Sequence, residues 1–399
     1  MRLVTLVTHL GLAALAAGCG NDNGNDTGGE DPDGGAAGAL EPPPDGDGVQ
    51  LHMSYRLAPG EVHNCQYYLL PEDDIAVSRF EHAYTSGGHH IILYPTDLAP
   101  DQVEPSRLDV FDCDLMPNRG DVGFAYASAG TMNGEEYPAG VARRFGGRVV
   151  LLESHMLNTG DAPADIDVRL NLWFAHGTVE QEVGTLFFYD NHILVPAGGT
   201  ASARMSCAVP ADIHVSSLAS HMHVRGTHFS ARAHGSARSD TLIETSDWTV
   251  TEPTRFDPPV DIAAGQTIDF GCDYRNPGGA PIIEGPSKLD NEMCLLIGTY
   301  WPRIDFPFEF CMGDRSGAVL DGDQTCGESF GCLVGATDPV TAEACAVDTC
   351  AGSSSAFNDF FSCVALECFF PGRCDGADCN ACTLERCTPA IEACQSAGC

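Results

Sequence analysis

Positive charge is scarce in this chain. Lys and Arg total 20 against 56 Asp and Glu in 399 residues, a formal net charge of −36. So few cations neutralise little phosphate, which argues against nucleic acid as a partner. The acidity is read as serving solubility rather than a ligand. Long apolar runs are lacking too: beyond the first residues none reaches the ~20 residues that cross a bilayer. Long amphipathic helical stretches are few, and no Gly-rich dinucleotide or phosphate loop stands out.

The N-terminus begins with Arg2 and an apolar run from Leu3 to Ala17 that carries no acid. It is short for a membrane span and suits the apolar stretch of an export signal. It closes on Leu15-Ala16-Ala17-Gly18-Cys19. Small residues before a cysteine resemble the bacterial lipobox, with the leucine one place early, so residues 1–19 are expected to be a lipoprotein signal with Cys19 lipidated. An ordinary secretory signal is the alternative. Either way the chain is exported, anchored to the cell envelope through its lipid in the first case, and its cysteines are free to oxidise. Residues 20–48 are Gly, Asp, Asn and Pro with almost nothing apolar. That composition buries no core and reads as a flexible tether.

From Val49 to about Gly313 short β-rich runs alternate with Gly, Pro, Asn and Asp turns, for example His90–Tyr94, Arg148–Leu152, Val168–Phe174, Thr185–Tyr189 and Leu295–Tyr300. Hydrophobic residues make up 43% of the chain, ample for packed cores. The pattern predicts an all-β fold of two tandem antiparallel sandwiches, residues 49–195 and 196–315, with Val195-Pro196-Ala197-Gly198-Gly199 as the junction. Residues 321–399 form a separate module. Twelve of the 19 cysteines lie there, recurring as Cys-x4-Cys at 345/350, 363/368, 374/379, 382/387 and 394/399. In an exported chain this reads as a disulfide-stapled module. A zinc module is the weaker alternative, because the tail has no histidine. Short helical pieces such as Ala356 to Ala365 are expected to carry some of the bridges, and spacing does not give their connectivity.

Histidine marks the candidate chemistry. In Ser220-His221-Met222-His223-Val224-Arg225-Gly226 two imidazoles sit at i and i+2 of a strand-like segment, on one face, where both reach one ion. The plainer reading is a polar pair on a sheet. Gly87-Gly88-His89-His90 precedes a strand, and two adjacent ligands there require a bulge or a strand start, which the glycines permit. Glu153-Ser154-His155-Met156 adds an imidazole and Asn291-Glu292-Met293-Cys294 a thioether. Taken alone, each is more simply a polar edge, a core methionine or half of a disulfide. Cys65, Cys113, Cys207, Cys272, Cys294 and Cys311 are even in number; if all pair, histidine, methionine and carboxylate remain as candidate ligands.

Together, Gly88-His89-His90, Ser154-His155, His221-Met222-His223, Glu292-Met293-Cys294 and Tyr300-Trp301-Pro302 resemble, in order and approximate separation, the motifs of the type II ascorbate-dependent copper monooxygenases. The resemblance spans roughly residues 50 to 312 and implies two jelly-roll-like sandwiches, each holding one copper ion. By position, His89, His90 and His155 would bind the electron-transferring copper, and His221, His223 and Met293 the copper that takes O2. A thioether suits Cu(I), and imidazole suits both oxidation states. Zinc explains the methionine poorly. The family pattern also implies the pairs Cys65–Cys113, Cys207–Cys311 and Cys272–Cys294, the last pinning the backbone beside Met293.

The implied activity is hydroxylation of a C–H bond with O2, ascorbate being the reductant, on an unidentified small organic or peptide-like substrate. Substrate residues do not carry over. The peptide-amidating members have an arginine where this chain has Ala219, and Asn and Tyr where it has Leu295 and Ile297, which disfavours a peptide C-terminus. Glu153 replaces a glutamine near the first copper. His176, His192, His214, His228 and His234 are expected at the surface or in turns, with His228 a weak candidate near the second site. Two other readings compete: a non-catalytic copper-binding or copper-storing lipoprotein on the same fold, and a surface adhesion protein whose tail does the binding.

Overall fold

A computed structural model describes residues 40–85, 88–113, 124–129, 132–234, 241–250, 252–285, 287–304, 308–312, 317–369, 373 and 379–399. The expected signal, Cys19 and the tether as far as residue 39 lie outside them. Two compact units are present: residues 40–185 with Trp301–Arg303, and Leu186–Tyr300 with Ile304–Cys399. Among the described residues no helix is long and apolar enough to cross a membrane.

The first unit holds β1 (Gly48–Leu57), β2 (Gly60–Leu69), β3 (Ile75–Tyr84), β4 (Gly88–Pro95), β5 (Phe111–Asp112), β6 (Tyr126–Ala129), β7 (Met132–Glu136), β8 (Val141–Phe145), β9 (Val149–Asn158), β10 (Ala164–Phe174) and β11 (Gln181–Glu182). One sheet runs β1-β10-β3-β8-β11 with β7 also on β3, and the other runs β5-β2-β9-β4-β6. Pairing is antiparallel except for the short β8–β11 pair. Strand β10 alternates buried and half-exposed residues, the mark of a sheet with one wet face. Strand β9, at the centre of its sheet, is buried from Val149 to Met156. Leu51, Met53, Phe80, Tyr84, Leu93, Leu152 and Val168 fill the core. Burial of each such side chain contributes about 1.5–3 kcal/mol. Part of the composition-defined tether is structured. Pro43 is buried, and the Leu40 and Glu41 carbonyls accept from Gln50 Nε2 (3.1 Å) and Asn171 Nδ2 (2.8 Å).

The second unit holds β12 (Gly184–Asp190), β13 (Leu194–Val195), β14 (Thr200–Ala208), β15 (Ile213–His221), β16 (Gly226–Ala233), β17 (Thr241–Thr245), β18 (Thr254–Ile262), β19 (Thr267–Arg275), β20 (Ile282–Ile283) and β21 (Cys294–Trp301). Its sheets run β12-β21-β15-β18 and β14-β19-β16-β17, with β13 and β20 paired separately. Both sheets face one core that includes Met205, Val215, Leu218, Phe229, Phe270 and Leu296. The expected all-β architecture of two antiparallel sandwiches is therefore present.

The tail is helical: α1 (Cys326–Gly335), α2 (Pro339–Val347), α3 (Ala351–Cys363), α4 (Cys379–Arg386) and α5 (Thr388–Ser396). Thr325 and Glu328 form a capping box on α1, and Asp338 caps α2 with Pro339 in its first turn. Phe357, Phe360 and Leu333 belong to the same hydrophobic core as the second sandwich. Bonds join Cys326–Cys394, Cys332–Cys345, Cys350–Cys399, Cys363–Cys387 and Cys368–Cys382. None of these joins the two members of a Cys-x4-Cys pair. The side chains of Cys374 and Cys379 lie outside the described residues.

Candidate metal centres

Strands β2, β9 and β4 are neighbours, and their register sets three histidines in one row: His63 faces His155, and His155 faces His90. On β4 the register slips between Gly88, opposite Met156, and His90, opposite His155. His89 is thus the extra residue of a bulge, as two adjacent ligands require; its side chain lies outside the described residues. The His63 and His155 rings stack with centroids 3.9 Å apart, His90 and His155 meet edge-on at 4.9 Å, and His63 and His90 are 6.4 Å apart.

Glu153, two residues before His155 and so on the same face, is fully buried between these rings. Its Oε1 lies 3.0 Å from His63 Nδ1 and 4.0 Å from His90 Nε2, and its Oε2 accepts from the Tyr94 hydroxyl at 2.6 Å. Burial and the Glu153 charge hold that phenol well above its usual pKa. On the other side, His155 Nε2 lies 2.5 Å from Glu61 Oε1. Burial lowers the His155 pKa, against the pull of Glu61. The row is therefore three imidazoles interleaved with two carboxylates. His63, Glu61 and Tyr94 were not singled out from sequence. The available signal was the alternation Glu61-x-His63 opposite Glu153-x-His155, which only the strand register reveals.

The second cluster stands at the end of β15. His221 is the last strand residue, and His223 is buried in the turn that follows. Their rings meet near-perpendicular with centroids 5.2 Å apart. With metal–nitrogen bonds of about 2 Å, two imidazoles sharing one ion put their ring centres roughly 5 Å apart, so the pair fits one ion. His223 Nδ1 lies 3.1 Å from the Asn291 carbonyl. That contact places the proton on Nδ1 and leaves the Nε2 lone pair for a ligand.

The adjoining Glu292 is fully buried and accepts from the backbone N–H groups of His223 (3.0 Å) and Arg225 (2.7 Å). One carboxylate so clamps the His-x-His turn to the segment that carries Met293. Burial raises its carboxyl pKa to about 7, against those hydrogen bonds. The Met293 carbonyl accepts from the Tyr274 hydroxyl at 2.8 Å. Burial also lowers His223 to about 4; the cations Lys288, the chain's only lysine, and Arg225 push the same way.

The bonds Cys65–Cys113, Cys207–Cys311 and Cys272–Cys294 are formed, the pairs that the resemblance implies. Cys272 lies in β19 and Cys294 opens β21, so this bond ties the two sheets of the second sandwich directly beside Met293.

Of the other histidines, His176, His214 and His234 are exposed and pair with Asp47, Asp261 and Asp269. His228 lies 3.1 Å from Glu244 and 3.4 Å from Asp273. His192, expected at the surface, is buried 3.5 Å from Glu343 because α2 and α3 of the tail cover it. His82 is buried between the Tyr126 and Ser128 hydroxyls.

Among the described residues, no group of three or more His, Cys, Asp or Glu side chains is placed to hold a metal ion. The second cluster offers two such residues and a thioether, and the His89 side chain lies outside the described residues. No protein-family model and no curated protein matches the chain. Among solved structures it is weakly similar to the major capsid protein P2 of bacteriophage PM2, at 8% identity over 65% of this chain and all of that one, TM-score 0.27. It is also weakly similar to PNGF-II, at 9% identity over 64% of this chain and 60% of that one, TM-score 0.24. Likeness of that depth carries no argument about function.

Proposed function

We propose that this chain is a copper-dependent monooxygenase that hydroxylates a C–H bond with O2 and a one-electron reductant such as ascorbate, using two mononuclear coppers. The observation that carries the reading is the clamp at the second cluster: His221 and His223 set at ion-sharing distance, with Glu292 tying their turn to the Met293 segment. Copper bound by His221, His223 and Met293 would supply one-electron reactivity toward O2, and copper bound by His89, His90 and His155 the second electron. Asn291 fixes the His223 tautomer. Glu292 and Tyr274 hold the Met293 backbone, and the Cys272–Cys294 bond limits its movement. Near these residues in sequence Leu295 is buried and Ala219 and Ile297 are half-buried, apolar side chains where a peptide carboxylate would need polar partners, consistent with another substrate. The chain is proposed to be exported and lipid-anchored through Cys19.

The test is copper stoichiometry on the whole exported chain. Two equivalents are expected, one lost in His221→Ala and the other in His89→Ala, with ascorbate-dependent O2 uptake abolished in Met293→Ile. Bound copper without O2 uptake would move the reading to a copper-binding lipoprotein. Zinc in place of copper, or no metal, would refute it.

A further inference from the structure

We infer that the turn after the His-x-His pair is an oxyanion-binding site, in which Arg225 and Lys288 hold a carboxylate or phosphoryl group of an organic ligand beside His223. Calling that ligand the substrate rests on the proposed reading; the binding site itself needs no metal. The resemblance assigns no role to either residue.

Four observations carry it. The first is where the cations stand. The chain has 20 Lys and Arg in 399 residues, and two of them flank His223 on segments that hydrogen bonds lace together. The Val224 nitrogen lies 3.5 Å from the Lys288 carbonyl oxygen, and His223 Nδ1 lies 3.1 Å from the Asn291 carbonyl. The second is the fixed backbone of Arg225. Its N–H donates to Glu292 Oε1 at 2.7 Å, and its carbonyl accepts from the Arg275 N–H at 2.9 Å. The third is an unmet donor. Arg225 Nη1 is out of water, and among the described residues no acceptor lies within hydrogen-bond reach of it. A buried charged donor without an acceptor is costly, and such a group is kept where an ion, a ligand or water completes it. The nearby carboxylates are engaged elsewhere: Glu292 uses both oxygens on backbone N–H groups, and Asp290 Oδ2 accepts from Ser287 Oγ at 3.1 Å. Arg225 eases the buried Glu292 charge through space, and among the described residues neither Arg225 nor Lys288 makes an ion pair. The fourth is access. Val224 is 39% exposed, so the turn is open to solvent.

The chemistry follows from the donor set. A planar guanidinium offers paired N–H donors that match two oxygens of a carboxylate or phosphoryl group, and an ammonium adds a point charge. A chain of net charge −36 repels anions, so one settles only where local positive charge outweighs that field. Both cations stand close enough to His223 to disfavour a proton on its ring, and an oxyanion between them would lie beside that ring. In the proposed reading this anchors one end of the substrate next to the second centre. The class is an organic oxyanion other than a peptide C-terminus, since Ala219, Leu295 and Ile297 are apolar.

The test is isothermal titration of the whole chain, with and without copper, by phenylacetate, phenyl phosphate and the neutral phenylacetamide. At least one of the two anions is expected to bind, the tighter of them assigning the class, and phenylacetamide to bind about tenfold more weakly. Arg225→Gln should weaken the anion by about 10- to 100-fold, the loss of a charge-assisted hydrogen bond, and Lys288→Gln by about 2- to 5-fold. Arg232→Gln removes the same charge roughly 23 Å further along β16 and should leave binding within about twofold. Should Arg225→Gln fail to fold, Arg225→Lys keeps the charge and loses the fork, and the loss is read from it together with Lys288→Gln. Equal binding of the anions and phenylacetamide, or an equal loss in the Arg225 and Arg232 variants, overturns the inference. So does an adventitious ion only, inorganic phosphate binding as tightly as phenyl phosphate. If two coppers bind and neither organic anion does, the monooxygenase reading stands and this one fails. If an anion binds as expected and copper does not, this site stands without that reading.

Discussion

Removing the disulfide beside Met293 separates stability from metal binding. Cys272 and Cys294 are 22 residues apart, and a loop of that length contributes about 3.4 kcal/mol through the restricted unfolded chain. Cys207 and Cys311 are 104 apart, for which the same relation gives about 4.7 kcal/mol. Stability alone therefore ranks Cys207→Ala/Cys311→Ala as the more damaging pair, by about 1.3 kcal/mol. Metal binding ranks them the other way. Of these two bonds only Cys272–Cys294 adjoins a candidate ligand of the second centre, and losing it should lower copper affinity there by about 10- to 100-fold, the usual effect of freeing a ligand's support. The Cys207–Cys311 variant should stay within about threefold of the parent. Urea unfolding followed by circular dichroism gives the first ranking, and copper titration in a His89→Ala background gives the second. If the Cys207–Cys311 variant is worse on both scales, the bond beside Met293 is a staple and nothing more.

Asp190 gives a pH test. Burial raises its carboxyl to about 7, near His192 and Glu343 under the tail. Its folded pKa exceeds the unfolded value, so the proton's contribution is full below about pH 4 and is lost as pH climbs through 7, on the order of 4 kcal/mol. Melting of the second unit should fall across that window, and Asp190→Asn should remove that part of the slope; an unchanged slope contradicts the assignment. Gly226→Ala would put a Cβ 2.8 Å from the Met222 Cβ and Sδ, so it should cost about 1–3 kcal/mol and weaken copper at the second centre. Parent-like melting and copper titration would sink this. Phe360, buried edge-on against Phe330 and Phe361, should cost about 3–5 kcal/mol as Phe360→Ala and unfold the second sandwich together with the tail. Differential scanning calorimetry showing the tail melting alone would contradict the shared core.

The sandwiches were legible because short β-branched and aromatic runs between turn residues need no distant information. The bulge at His89 was legible for a similar reason, since adjacent ligands after two glycines constrain the backbone locally. His63 was not: its partners Glu153 and His155 are about 90 residues away, and only strand register brings them together. His192 was misread because what buries it, Glu343 and Phe357, comes from a tail that looks separable by composition. Glu292 was visible beside Met293, but its grip on two backbone N–H groups of the His-x-His turn is a tertiary fact.

The tail's connectivity bears on how the protein is made. The shortest closures open to it are within its Cys-x4-Cys pairs, and short loops close soonest. None of the described bonds is of that kind. Early oxidation would therefore trap the wrong partners unless exchange intervenes. The helices counter this: where the chain from Cys382 to Cys387 is α-helical, residues five apart stand about 8.7 Å apart, beyond the reach of a disulfide. Coiling first and oxidising second is the productive order. The yield of correctly bridged protein should then depend on a thiol–disulfide isomerase in the expression host more than on the rate of synthesis.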